Sequence, residues 1–130
     1  MPLKIELKAH ESIIIGEALI TNDGERTRFY IEGDVPILRE KFILRQEDAN
    51  TPCKRLYLVV QQMYLSKGNR TLQKIYIEYV KDIKEAAPSL SPLVDEINEK
   101  ILRTSYYEAL KSADALVKKE AESFGALLGV

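Results

Sequence analysis

The chain has 130 residues, of which 45% are apolar, and its formal net charge is -1. This size and apolar content suit one domain or two closely packed modules, and they argue against independent domains joined by a long linker. The near-neutral charge also argues against a protein that holds nucleic acid by bulk charge, so nucleic-acid binding would require a local basic face.

The residues that usually carry catalysis or metal binding are scarce. The single cysteine, Cys53, excludes an internal disulfide, and the single histidine, His10, argues against a Cys/His metal site. There is no glycine-rich phosphate loop, no signal-peptide pattern and no apolar run long enough to span a membrane. We therefore predict a cytoplasmic protein that is not an enzyme, binds no metal, cofactor or DNA, and does not enter a membrane.

Residues 1–45 carry the patterns of short strands. Leu3 to Lys8 alternates apolar and charged residues, which predicts a half-buried strand. Ser12 to Ile15 and Ala18 to Thr21 resemble two further strands. The Asp23-Gly24 pair then predicts a tight hairpin that leads into a return strand, Arg26 to Glu32.

The last extended piece of this region, Val35 to Leu38, contains Pro36. Proline has no backbone N–H to donate, so this piece is predicted to be an edge strand whose edge is free for pairing. Of the two neighbouring aromatic residues Phe29 and Tyr30, we expect one in the core and the other exposed, where it can stack on an unpaired base.

The remainder of the chain shows helical spacing, and we predict helices over residues 52–66, 71–87 and 91–122. Thr51-Pro52 and Ser91-Pro92 each combine an N-cap hydroxyl with proline at the first helical position, and Thr71 is the predicted cap of the middle helix. The apolar stripe of the last helix runs from Val94 to Val117. That length predicts a contact with another chain.

The predicted fold is therefore α+β, with a small antiparallel sheet of four or five strands followed by three α-helices, the last one long. Residues 1–45 form a candidate RNA-binding module. Residues 46–130 form a candidate partner or oligomerisation module. The free sheet edge and the long helix together predict a homo-oligomer.

Basic residues on the strands and on the first helix are the candidate RNA contacts, because Lys and Arg position phosphates and Arg also reaches base edges. They are Lys4, Lys8, Arg26, Arg28, Arg39, Lys41, Lys54 and Arg55. Glutamates are interleaved with the strand cations, so an ordinary solvated surface explains the pattern as well. The candidate partner contacts are Leu102, Tyr106, Leu110, Leu116 and Val117.

Several segments, mainly in the first half of the chain, resemble the FlbT family of bacterial flagellum-biosynthesis repressors. They are Met1 to Lys8, His10-Glu11 with Ile13 to Gly16, Ile37 to Lys41, Thr51 to Arg55 and Gln61 to Leu65. The resemblance implies a protein that associates with the 5′ leader of flagellin messenger RNA and promotes decay of that RNA. It would act as a post-transcriptional repressor and not by cutting RNA.

A weaker and more local likeness involves Glu11 to Gly16 and Pro36 with Arg39-Glu40, which look like pieces of the CsrA family of small RNA-binding regulators. In that family the basic end of the first strand and an arginine of the last strand contact RNA. The resemblance carries these roles to Lys8 and Arg39.

A different class of function fits the helices. The long apolar stripe is also typical of an adaptor that binds a flagellar regulatory or chaperone protein, in which case any effect on RNA would be indirect. RNA binding and adaptor binding differ in salt dependence, because contacts to phosphates weaken steeply as salt rises.

Overall fold

Five strands and four α-helices follow one another in residues 2–127, the part of the chain that the structure, a computed structural model, describes. Side chains are described for residues 2–123. The chain divides into two units, Met1–Ile43 with the strands and Leu44–Val130 with the helices. The α+β class is confirmed. The predictions of one sheet and three helices are wrong, since the described residues form two small sheets and four helices.

The β unit contains two antiparallel sheets. Its strands are β1 Leu3–Leu7, β2 Ser12–Ile15, β3 Ala18–Thr21, β4 Thr27–Ile31 and β5 Ile37–Arg39. β1 pairs with β4, and β2 lies between β3 and β5. The predicted alternation of β1 places Ile5 and Leu7 in a core with Ile13 of β2. The intervening residues of β1 therefore face away from that core.

The predicted hairpin at Asn22-Asp23-Gly24 does not form, because β3 pairs with β2 while β4 pairs with β1. Gly24 is not among the residues with positive φ. Instead, the Asn22 side chain holds the turn, its Nδ2 donating to three backbone carbonyl oxygens at 2.9 to 3.2 Å. The tight turn lies at Gly16, where φ is 62°, between β2 and β3. β5 is an edge strand, as predicted from Pro36.

The four helices are α1 Pro52–Ser66, α2 Arg70–Ala86, α3 Ser91–Leu102 and α4 Tyr106–Leu127. Thr51 caps α1 as predicted, its hydroxyl accepting from the backbone N–H of Lys54 at 3.2 Å. The prediction of Thr71 as the cap of α2 is wrong. Asn69 caps that helix, its Oδ1 accepting from Leu72 N at 2.8 Å. No helix within residues 2–127 has the length and apolarity needed to cross a membrane.

The predicted third helix is interrupted at Thr104, where φ is 55°. Ser105 N donates to Lys100 O at 2.9 Å and Thr104 N to Ile101 O at 2.9 Å, which ends α3 in a left-handed turn. Apolar residues recur at helical spacing on both sides of this turn, because α3 and α4 both contribute buried residues to the helical unit. Periodicity alone therefore could not reveal the break, and neither glycine nor proline marks it in the sequence.

Replacing Thr104 by glycine should stabilise the protein by about 0.5 to 1 kcal/mol. The left-handed conformation costs a β-branched residue about 1 to 2 kcal/mol, and the greater backbone entropy of glycine in the unfolded chain offsets part of that gain. Urea unfolding measures the change. Thr71→Gly, at a position inside α2, is the matched control and should not stabilise; equal effects of the two substitutions would contradict the assignment of strain to Thr104.

Helix α4 packs against both α1 and α3 to form the centre of the helical unit. The fully buried side chains there include Leu56, Val60, Val94, Ile97, Leu110 and Leu116. Helices α2 and α3 are antiparallel neighbours, joined by hydrogen bonds from Tyr76 to Asn98 and from Lys84 to Asp95. These two bonds fix which levels of the two helices lie side by side.

A buried carboxylate connects the last helix to the start of the first. Glu120 of α4 is 7% exposed. Its Oε1 accepts from the Thr51 hydroxyl and its Oε2 from Cys53 N at 3.1 Å. Burial, together with the negative charge of Glu120, raises the pKa of the Cys53 thiol to about 12. Cys53 is thus a packed, protonated residue and not a nucleophile.

Candidate nucleic-acid interface

The outward face of the β1–β4 sheet is formed by alternate residues of its two strands. Lys4 lies opposite Tyr30, and Glu6 lies opposite Arg28. Directly opposite residues of an antiparallel pair project to the same side with their Cβ atoms about 5 Å apart. Because the odd-numbered residues of both strands turn toward the core, this register gathers cations and an aromatic ring on the other side.

Tyr30 is the most exposed aromatic side chain of this face, with 66% of its surface accessible. Its neighbour Phe29 is partly buried against the core of the β unit. This division between the two rings is the one that the sequence predicts. An exposed ring on a sheet flanked by cations suits stacking of an unpaired base.

Glu6 is the carboxylate at the centre of this face. Its Oε1 lies 3.6 Å from Arg26 Nη1 and 3.8 Å from Arg28 Nε, and all three side chains are well exposed. Such ion pairs contribute little, because water screens them. Glu6 alone does not neutralise Arg26, Arg28 and Lys4, so this cluster of four side chains keeps a net positive charge that can attract phosphates.

Arg39 and Lys41, two of the remaining predicted contacts of the β unit, lie outside the β1–β4 sheet. Lys8 is exposed just after β1, while Arg39 ends β5 in the other sheet, where its register partner is Ile13. Lys41 lies in the short turn Glu40–Phe42, with its Nζ 5.1 Å from the centre of the Phe42 ring. The predicted strand cations therefore do not all belong to one sheet, since β5 joins the three-stranded sheet.

Lys54 and Arg55 belong to the helical unit, in the first turn of α1. Lys54 is partly buried and its Nζ donates to Asn50 Oδ1 at 3.4 Å, whereas Arg55 is exposed. The positive end of a helix favours anions nearby, but it does not by itself make an RNA site.

The model of the family described as "Flagellar protein FlbT" matches residues 3–124, which is nearly the whole chain and spans both units. The chain belongs to the FlbT family. Proteins named probable flagellum biosynthesis repressor protein FlbT are similar to it. One from Rhodopseudomonas palustris is 47% identical, covering 94% of this chain and 97% of the relative.

Two further FlbT relatives extend the comparison. The probable flagellum biosynthesis repressor protein FlbT 1 of Bradyrhizobium diazoefficiens is 48% identical, and the match covers 96% of this chain and 86% of the relative. The flagellum biosynthesis repressor protein FlbT of Caulobacter vibrioides is 28% identical, and the match covers 96% of this chain and 91% of the relative. No solved structure matches the chain. FlbT is a family of regulatory repressors, so the prediction that the chain is not an enzyme is confirmed.

The predicted partner contacts of this FlbT chain separate into core and surface residues. Leu110 and Leu116 are fully buried and cannot form a contact surface, because α4 turns them toward α1 and α3. Tyr106 and Val117 are partly buried. Of these five residues, Leu102 at the end of α3 is the most exposed, with 85% of its surface accessible.

One exposed residue was missed by the search for apolar stripes. Ile77 of α2 is 65% exposed. The buried residues of the same helix are Tyr76 and Ile83. The sequence does contain a signal for this exposure, because Ile77 is an aliphatic residue on the polar side of an amphipathic helix.

Proposed function

We propose that this FlbT protein represses flagellum biosynthesis after transcription, by binding the 5′ leader of a flagellin messenger RNA through the outer face of the β1–β4 sheet. The names of the FlbT relatives support the repressor role. The basic outer face supports RNA as the ligand. Binding occludes the leader or recruits a nuclease, and decay of the RNA follows.

The observation that carries this proposal is the exposed Tyr30 opposite Lys4. The neighbouring ring of Phe29 packs against the core, which leaves Tyr30 as the exposed ring of this face. Here the ring lies on the charged side, with Arg28 two residues away on the same strand and face. This arrangement provides a stacking surface and phosphate contacts at neighbouring positions, which is what recognition of single-stranded RNA requires.

Titration of the purified protein with a flagellin leader RNA tests this surface. Tyr30→Ala should weaken binding about tenfold, because stacking of one base contributes about 1 to 3 kcal/mol. Arg28→Gln should weaken binding by a similar factor and make the salt dependence shallower. Glu6→Gln should strengthen binding, since it removes the carboxylate that lies beside Arg26 and Arg28.

The matched control is Lys118→Gln. Like Arg28→Gln it removes one positive charge from an exposed side chain, but it does so on α4. It should leave RNA affinity nearly unchanged. Equal losses from the two substitutions would show that only bulk charge matters, and no binding of wild-type protein at low salt would exclude direct RNA recognition.

A further inference from the structure

Strand β3 forms one edge of the three-stranded sheet, and within the described residues it pairs with β2 alone. All four of its residues are exposed. Proteins usually protect such edges from pairing with another chain by placing charged residues or proline on them. The other strands with a neighbour on one side only, β1, β4 and β5, each carry a lysine or an arginine. Strand β3 carries neither a charge nor a proline.

The hydrogen bonds beside β2 show which of its residues bond to β3. Successive residues of a strand turn their N–H and C=O groups to opposite sides. Ser12 N donates to Oε1 of Glu40, just after β5, at 3.0 Å. Glu11 O instead accepts from N of Asn22, just after β3, at 2.9 Å. Even-numbered residues of β2 therefore bond toward β5, and odd-numbered residues bond toward β3.

The same alternation decides which residues of β3 are bonded within the sheet. The odd-numbered residues of β2 lie opposite Ala18 and Ile20, so these two residues use their backbone groups to bond to β2. The N–H and C=O groups of Leu19 and Thr21 point out from the edge. Each edge thus presents two donors and two acceptors that have no backbone partner in the part of the chain that the structure describes.

The side chains of β3 also lack cover. Leu19 and Ile20 project from opposite faces of the sheet, because neighbours in a strand alternate. Their side chains are 49% and 39% exposed. Another strand that continued the sheet would remove part of this apolar surface from water on both faces, which is favourable.

We propose that β3 pairs with β3 of a second copy of the chain, antiparallel, about a two-fold axis that passes perpendicular to the sheet beside Ile20. In this register Leu19 of each copy exchanges two backbone hydrogen bonds with Thr21 of the other. All the outward donors and acceptors of the two edges are then used. Ile20 lies opposite Ile20 of the second copy as a non-hydrogen-bonded pair, with Cα atoms about 4.5 Å apart. The two three-stranded sheets become one continuous sheet.

The register about Ile20 keeps every bonded residue inside the strand. A register centred on Leu19 would instead bond Thr21 to Glu17 of the second copy, and Glu17 belongs to the turn before β3. Pairing of two strands of four residues covers less surface than a stable interface usually does, so we expect a weak, concentration-dependent dimer.

Other occupants match this edge less well. RNA would find no cation on β3 to hold a phosphate. A helix has its backbone groups bonded internally and cannot use the outward groups. A strand of another protein could form the backbone bonds, but a second copy supplies both the same spacing of outward residues and an uncharged aliphatic side chain at the axis.

Sedimentation equilibrium of the full chain over a range of concentrations tests for the dimer. The wild type should dimerise reversibly, and Ile20→Lys should weaken association at least about tenfold, because it sets two like charges directly opposite each other. Leu3→Lys is the matched control, since Leu3 is 43% exposed on β1 in the other sheet. It should associate like the wild type. Circular dichroism checks that both variants keep the fold.

Cysteine cross-linking tests the register without adding charge. Under mild oxidation Ile20→Cys should form a disulfide-linked dimer, which a non-reducing gel detects. Ala18→Cys is the control on the same strand, because its symmetry mate lies about 13 Å away along the strand, beyond the reach of a disulfide. The native Cys53 is buried and should not react in either variant.

Two results would overturn the proposal. One is a wild-type protein that stays monomeric up to about 1 mM. The other is equal cross-linking of Ile20→Cys and Ala18→Cys, which indicates random collision. RNA binding is scored separately, because Arg28 lies on β4 in the other sheet. Arg28→Gln should dimerise like the wild type, so failure of either proposal leaves the other testable.

Discussion

Replacing Glu120 by alanine is expected to lower the free energy of unfolding by about 3 kcal/mol. The substitution leaves the backbone N–H of Cys53 and the hydroxyl of Thr51 without their acceptor at the start of α1. Each hydrogen bond to a charged group contributes about 1.5 to 3 kcal/mol, and a buried donor without a partner is costly. Urea unfolding at pH 7, followed by circular dichroism, measures the loss.

Two controls identify the cause. Glu120→Gln keeps one acceptor oxygen and should lose roughly half as much stability as Glu120→Ala. Glu122→Ala, in the same turn of α4 but with an exposed carboxylate, should change stability by less than about 0.5 kcal/mol. If Glu120→Ala and Glu122→Ala were alike, the hydrogen bonds to α1 would contribute nothing measurable.

Leu110→Ala should also cost about 3 kcal/mol, since Leu110 is fully buried between α4 and its neighbours. Removing a buried leucine side chain forfeits its transfer free energy and leaves a cavity, at a typical cost of about 2 to 5 kcal/mol. Thermal or urea unfolding detects this loss, and binding assays at a temperature where the variant remains folded should show no specific defect.

Leu102→Ala is the matched comparison, because it changes the same residue type at a position 85% exposed. At low protein concentration it should alter stability by less than about 0.5 kcal/mol. A large loss from Leu102→Ala together with a negligible loss from Leu110→Ala would contradict the packing of α4.

Sequence patterns predicted the structure correctly where the residues that decide it are close together in the chain. Alternation in β1 correctly predicted a half-buried strand, in which Ile5 and Leu7 are buried although Leu3 is 43% exposed, and the Thr51-Pro52 pair correctly located the start of α1. In both cases the residues that decide the structure are neighbours in the chain, so their preferences can be read without knowing the fold.

The errors arose where distant segments decide the structure. Asp23-Gly24 would suit a hairpin, but pairing of β4 with β1 competes with it and prevails. Leu110 appeared as part of a partner stripe because a sequence does not reveal that α3 and α4 cover each other's apolar faces. The outer face of β1–β4 was predicted only in part, since the register that sets Lys4 opposite Tyr30 depends on that same distant pairing.

The bond between Glu120 and Cys53 joins residues 67 positions apart. During synthesis, α1 leaves the ribosome well before Glu120, which accepts hydrogen bonds from Thr51 and Cys53 at the start of α1, has been made. The helical unit can therefore reach its final stability only after nearly the whole chain has emerged, because contacts of such long range must wait for the later residues. A message cut or a ribosome stalled before this codon would release a chain whose first helix lacks these two hydrogen bonds, and we expect that chain to be cleaved by proteases more readily.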